Sequence, residues 1–214
     1  MRRRTAEAER LRAVLERLRA AYGAVRPGLD HRSPWELLVA TVLSAQCTDD
    51  RVNRETPALF ARFPGPRELA AADAAEVEGL IRSIGLFRTK ARSLVGLARE
   101  VAERHGGRVP SDRAALEALP GVGRKTASVV LGQAFGIPAF AVDTHVGRVC
   151  RRLGFATSAA PRAVEEAVTA LLPPAAWVEA HLLLIRHGRV TCTARKPRCP
   201  ACAVRALCPW PDKT

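Results

Sequence analysis

Aromatic side chains are scarce in this chain: one Tyr, three Trp and six Phe among 214 residues. Proteins that hold unpaired nucleic acid strands stack bases on aromatic rings, so the thin supply argues against that class. Long apolar runs are missing too. None reaches the roughly 20 residues that span a bilayer. Strict apolar–polar alternation, the mark of a half-buried strand, is found nowhere, and neither a repeat nor a low-complexity linker interrupts the chain. The opening "MRRRTAEAERLRAVLERL" is basic, but Glu7 and Glu9 break its apolar pattern and it holds no cleavage site. It reads as a mature helix, not a signal peptide. A cytoplasmic protein with reduced thiols is expected.

Acidic residues are also in short supply. Asp and Glu number 21 against 34 Lys and Arg, a net charge of +13. A folded protein this basic usually meets a polyanion. With so few aromatics, duplex phosphates suit it better than single strands. A compositional bias toward Arg and Ala is the plainer alternative. Hydrophobic residues make up 48% of the chain, enough to bury one large core or two small ones.

Helical periodicity runs almost throughout, and the fold class read from it is all-α. Leu11, Val14, Leu15 and Leu18 form a stripe that Gly23 stops. "SPWE" from Ser33 to Glu36 is a capping box with Pro34 at the first helical position. Thr48 or Asp49 caps the next helix, which Pro57 should kink or end. Asp73 caps a helix carrying Val77, Leu80, Ile81 and Ile84, and Gly85 closes it. A longer helix is expected from about Arg88 to His105, and Ser111 can cap a short one to Ala118. Gly136 and Pro138 mark the best boundary in the chain.

"LPGVGRKTASVV", Leu119 to Val130, joins that short helix to the next by a tight glycine turn. Gly121 and Gly123 permit positive φ and close backbone approach. The helix behind them opens with amides that lack intrahelical partners. Helix, glycine hairpin and helix together suit a phosphate; a plain helix corner would use the same residues. Arg124 and Lys125 stand in the first helical turn, where cations are disfavoured. Ala127, Val130, Leu131, Ala134 and Phe135 make the buried stripe, which leaves Lys125 facing outward beside the small residues Ser128 and Gly132. The helix N-terminus and Arg124 both disfavour its protonated form, which favours a nucleophilic amine. By position alone, an ordinary surface lysine fits as well.

"AVDTHVGRVC" places Asp143 where an N-cap belongs. A purely structural cap is the commoner fate of such an Asp, and one residue can do both jobs. Cys192, Cys199, Cys202 and Cys208 follow the spacing Cys-x6-Cys-x2-Cys-x5-Cys. Structural zinc sites show two close cysteine pairs, and here only Cys199 and Cys202 are one. Four thiolates from one loop suit a [4Fe–4S] cluster better than zinc, with disulfides third. Arg186, Arg189, Arg195, Lys196, Arg198 and Arg205 would surround its negative charge and present cations outward to phosphates.

"LPGVGRKTASVVL", "VDTHVGRV" and the cysteine tail together resemble the endonuclease III family of helix-hairpin-helix DNA glycosylases, and so do "SPWELLVATVLSAQCTD" and "IGLFRTKA". The resemblance runs from about Ser33 to Cys208, and three motifs in the right order are highly specific. It implies a base-excision repair enzyme, acting as a monomer on double-stranded DNA with a damaged base or abasic site, without a membrane, in the cytoplasm at the nucleoid. It implies two helical domains flanking a DNA-binding cleft. Residues 27–136 would be a six-helix barrel with the hairpin near 112–135. Residues 1–26 and 137–214 would form a discontinuous domain with a [4Fe–4S] loop over 192–208. Lys125 would be the catalytic lysine, Asp143 the catalytic aspartate and Glu117 a supporting carboxylate. Gln46 and Leu86 would plug or wedge the duplex. Gly121, Gly123, Arg124, His145 and Lys196 would contact DNA, with weaker claims for Ser44 and Asp49. The implied activity removes oxidised or damaged pyrimidines and cuts the abasic site on its 3′ side by β-elimination through a lysine Schiff base.

Cys47, Pro57, Phe87, Arg88, Gly147 and Val190 depart from the family's usual residues. The rival readings are an adenine glycosylase acting on mispairs, a relative acting on T·G or U·G mispairs, a non-enzymatic iron–sulfur DNA binder and a zinc-stapled module. Lys125 speaks against the first two, and Lys125 with Asp143 against the third.

Overall fold

A computed structural model describes residues 2–213, the side chains from Arg4 onward. The described residues contain eleven α-helices and no strand. They divide into two compact units, residues 27–137 and the discontinuous pair 1–26 with 138–214.

In the unit of residues 27–137, helix α2 (Pro34–Leu43) is buried on nearly every side. The capping box starts it: Ser33 Oγ accepts the Glu36 amide at 3.2 Å, and Glu36 reaches back to the Arg32 amide at 2.6 Å. Helices α3 (Asp49–Arg62), α6 (Phe87–Arg104) and α8 (Arg124–Ala134) pack against α2. The short helices α4 (Pro66–Ala70), α5 (Ala74–Leu80) and α7 (Arg113–Glu117) complete the unit. The unit holds seven helical segments, α4 being separated from α3 by the break at Phe63–Gly65. Pro57 does not end α3, which runs on to Arg62. It is exposed, and the ladder closes again beyond it, with the Phe63 amide donating to Leu59 O at 2.8 Å. A mid-helix proline costs about 3 kcal/mol; the buried Val52, Thr56 and Leu59 offset it. The cap of α7 is Asp112, not Ser111: its Oδ1 accepts the Ala115 amide at 2.9 Å.

In the discontinuous unit, α1 (Arg2–Tyr22) packs on α11 (Trp177–Val190), and α9 (Thr144–Arg152) on α10 (Pro161–Thr169) and α11. Leu11, Val14, Leu15 and Leu18 are all buried, as their spacing predicts, among Phe140, Val146, Val149, Val168 and Leu184. Four such side chains contribute on the order of 6–12 kcal/mol of gross burial. Gly23, at φ 65°, ends α1. The stretch after α11 is irregular, held by short 3-10 turns at Cys199–Ala201 and Arg205–Leu207.

Candidate functional site

The hairpin is anchored from below. Leu119 and Val122 are buried, and the Val122 amide donates to Leu119 O at 3.1 Å. Gly121 lies at φ +77°, and a Cβ there would stand 3.3 Å from Ser93 Cβ and 3.5 Å from Val42 Cγ1. Both conformation and space require glycine. Gly123 answers a different need. Its backbone is extended, it N-caps α8 without a side-chain oxygen, and a Cβ there would meet nothing within 4 Å. It leaves an open approach to the first turn of α8, the end of a helix that favours anions.

Around that turn stand the charged residues. Glu117 ends α7; its Oε1 is 3.4 Å from Arg113 Nη1 and 3.9 Å from Arg124 Nη1. Lys125, one residue into α8, is half-buried. Ser128 differs from expectation. It is 2% exposed and accepts from Arg113 Nη1 at 3.0 Å, so it belongs to the interior that fixes α7 on α8. The pattern of small residues hid this, because a serine with a buried partner looks the same in sequence as an open one.

Gln46 and Leu86 lie in two turns of the same unit. They are the two non-glycine residues with positive φ among the described residues, at 55° and 60°. The left-handed conformation costs roughly 1–2 kcal/mol for such residues, and strain of this kind gathers at functional positions. Leu86 is 61% exposed, an uncovered leucine at the N-cap of α6. The two turns are neighbours: a Cβ on Gly85 would stand 3.9 Å from Gln46 O. Ser44, in the same turn as Gln46, donates its hydroxyl to Thr41 O at 2.8 Å, and Asp49 opens α3.

Sequence reasoning missed Lys90. This lysine is 6% exposed and donates from Nζ to Leu43 O at 2.9 Å and Ala45 O at 2.6 Å. Burial pulls its ammonium below the usual lysine value, with the neighbouring Cys47 opposing. The signal was there. Lys90 stands in register with Leu94, Leu97 and Val101 on the buried stripe of α6.

In the discontinuous unit, Asp143 N-caps α9, its Oδ1 accepting the Val146 amide at 2.8 Å. The carboxylate is half-exposed, so the cap does not seal it off. His145 follows in the first turn, with Nδ1 3.2 Å from Arg148 Nη2. The Arg148 guanidinium also donates to Gly188 O at 2.7 Å and Cys192 O at 3.0 Å, tying α9 to the end of α11.

Cys192, Cys199, Cys202 and Cys208 line one cavity of about 30 Å³, with His187, Arg152, Arg198, Arg205, Trp210 and Lys213. Burial and the three neighbouring cysteines push the Cys202 thiol up. Arg152 donates to Cys192 Sγ at 3.4 Å and to Thr193 O at 2.7 Å. His187, buried and pulled down to about 4, places Nε2 3.8 Å from Cys202 Sγ. Of the cations expected there, Arg198 and Arg205 line the cavity. Arg186, Arg189, Arg195 and Lys196 are exposed and do not, while Arg152 and Lys213 do. Among the described residues, no three His, Cys, Asp or Glu side chains gather closely enough to hold a single metal ion.

Residues 39–174 match the family described as HhH-GPD superfamily base excision DNA repair protein. The endonuclease III of Synechocystis sp. is 45% identical over 98% of this chain and 96% of its own length. The chain belongs to the endonuclease III family. The Escherichia coli endonuclease III is 46% identical over 94% of this chain and 95% of its own. A solved structure of a trapped endonuclease III–DNA covalent intermediate superposes with a TM-score of 0.90 at 43% identity, covering 94% of this chain and 95% of that one. A thermostable thymine-DNA glycosylase superposes at 0.87 with 27% identity, covering 98% and 100%. As a member of the endonuclease III family, the chain is a DNA glycosylase and abasic-site lyase of base excision repair. No helix among the described residues is long and apolar enough to cross a membrane.

Proposed function

We propose that this enzyme binds duplex DNA, removes oxidised or otherwise damaged pyrimidines and cuts the resulting abasic site on its 3′ side, with Lys125 as the nucleophile. The position of Lys125 carries the reading: it lies one residue into α8, directly behind the Gly121–Gly123 turn. A relative of 43% identity trapped as a covalent DNA intermediate supports it. In this reading the hairpin amides and Arg124 grip a backbone phosphate, while Gln46 and Leu86 fill the space left by an extruded nucleotide. His145 and Lys196 add contacts to the DNA backbone.

The Lys125 amine attacks the sugar C1′, and the base leaves with the electrons of the glycosidic bond. Asp143 assists by taking the amine proton or by stabilising positive charge on the sugar. Ring opening gives an imine between Nζ and C1′. The imine withdraws electrons and acidifies C2′. Loss of that proton expels the 3′ phosphate and cuts the strand. Glu117 has the supporting role of placing water, held by Arg113 and Arg124.

We assign the cysteine cavity to a [4Fe–4S] cluster held by Cys192, Cys199, Cys202 and Cys208. Four thiols around one cavity, all from one loop with little regular structure, fit such a cluster. The cluster supplies a cross-link to a loop with little regular structure, and no chemical step runs through it. The two compact units are, in this reading, a barrel domain carrying the hairpin and a cluster domain carrying Asp143. The enzyme works in the cytoplasm, at the nucleoid.

Borohydride trapping tests the mechanism. The protein and its Lys125→Ala variant are mixed with duplexes carrying thymine glycol or an abasic site and reduced. A covalent band on both duplexes, absent in the variant, is expected. A band on abasic DNA alone would overturn the pyrimidine specificity. No band from folded, coloured protein would overturn the Schiff-base mechanism.

A further inference from the structure

Lys90 does not line the cysteine cavity, and its burial is unusual for its type. An apolar residue would fill position 90 more cheaply, in line with Leu94, Leu97 and Val101 on the same stripe. Instead an ammonium is buried there, and both of its acceptors are backbone carbonyls of one turn, Leu43 O and Ala45 O. These carbonyls lie at the C-terminal end of α2. Such an end leaves acceptors without intrahelical donors and favours a cation. The same residue sits in the first turn of α6, where its amide donates to Leu86 O at 3.0 Å. One lysine therefore joins the turn that presents Gln46 to the turn that presents Leu86, and these are the two left-handed non-glycine residues among the described residues. A second tie runs beside it. Arg51 Nη1 donates to Ser83 O at 3.2 Å, and Ser83 Oγ to Glu55 Oε1 at 2.7 Å, binding α3 to the segment before Leu86.

We propose that Lys90 is a positioning residue: its ammonium locks the Gln46 and Leu86 turns into one preformed element that enters the duplex. The inference rests on the reading of Gln46 and Leu86 as the residues that fill the extruded nucleotide's place. Its advantage is preorganisation. Two strained turns are held before DNA arrives, so their ordering is not charged against binding. A misplacement of about 1 Å at such an element costs on the order of 10²-fold in rate.

The test uses the full-length protein and three variants: Lys90→Met, the double Gln46→Ala/Leu86→Ala, and the triple. Insertion is followed by stopped-flow fluorescence of 2-aminopurine opposite a tetrahydrofuran abasic analogue. Strand cutting is followed on duplex and on single-stranded abasic oligonucleotides. A single strand has no stack to fill, so it reads the chemistry without the insertion. Lys90→Met should slow insertion and duplex cutting by about tenfold or more, while cutting of the single strand stays within about twofold. The triple variant should be no slower than the double, because Lys90 acts through those two residues. Equal losses on both substrates, or a triple variant showing the product of the separate losses, would overturn the proposal. If the double variant loses duplex activity and Lys90→Met does not, the proposal for Lys90 fails alone. If the double variant keeps full duplex activity, the reading of Gln46 and Leu86 fails, and this inference with it. Should Lys90→Met not fold, hydrogen exchange on DNA-free wild-type protein decides. Residues 44–47 and 86–89 should be protected alike, and free exchange in either segment would overturn the lock.

Discussion

Gly188 and Gly147 face opposite fates on substitution by alanine, although both lie in paired helices of one unit. In the interior of a helix, alanine is favoured over glycine by about 1 kcal/mol. At Gly147 nothing opposes that gain. The new Cβ would meet only Val142 Cγ1 at 3.8 Å, an ordinary contact. At Gly188 the new Cβ would stand 2.9 Å from His145 Cβ, 3.1 Å from Val149 Cγ2 and 3.3 Å from His145 O. Comfortable separation between carbons is about 3.5–4.0 Å. A first side-chain carbon and a backbone oxygen cannot swing aside, so α9 itself must move. Overpacking costs about 1–3 kcal/mol, and against atoms that cannot yield the upper end applies, a net loss of about 2 kcal/mol after the propensity gain. For a chain of this size 1 kcal/mol moves Tm by about 2–4 °C. Gly147→Ala should therefore raise Tm by up to that amount, and Gly188→Ala, at a net loss of about 2 kcal/mol, should lower it by about 4–8 °C. Scanning calorimetry on the cluster-loaded proteins reads both. A Gly188→Ala protein as stable as wild type would refute the packing argument.

Three other outcomes follow from the geometry. Gly121→Val places a β-branched side chain at φ +77° and against Ser93 and Val42; it should cost about 2 kcal/mol or more, seen as a lower denaturation midpoint and weaker duplex binding in titrations. Cys202→Ser should abolish the visible absorption of the purified protein, and a colourless wild-type protein carrying zinc would refute the cluster. Glu179 pairs with Arg19 through two hydrogen bonds of 2.7 and 2.8 Å, which hold its carboxyl below the usual 4.5. That contribution is present above pH 4.5 and lost as pH falls through the depressed value. Glu179→Gln should lower Tm at neutral pH, with the gap to wild type narrowing as pH falls below 4.5; a gap that does not narrow in acid would refute the assignment.

Where a residue's role is local, the sequence shows it. Ser33, Asp73 and Asp143 cap the helices their spacing announces, since a cap needs only an oxygen within three residues of an amide. The stripe of α1 is equally readable, because a buried helix face repeats with the helix itself. Ser111 and Asp112 are adjacent candidates for one cap, and only folding decides between them. Roles that depend on distant partners stay hidden. Lys90 has acceptors more than forty positions away, and Arg152 reaches forty residues on to Cys192. A lysine or arginine in an amphipathic helix reads as solvated until those partners are seen. Pro57 fails to end α3 for the reverse reason: a local breaker was overruled by the burial of its neighbours on that helix.

The pairing of α1 with α11 also dictates an order of assembly. Arg19 and Glu179 are separated by 160 residues. At synthesis rates of 5–20 residues per second, α1 leaves the ribosome on the order of ten seconds before its partner exists. During that interval residues 27–137 can complete their own core, while Leu11, Val14, Leu15 and Leu18 have nothing to cover them. Helix α1 is thus made before residues 27–137 but buried after them. Until then it is an amphipathic, basic nascent segment, the kind of chain that a ribosome-bound chaperone covers.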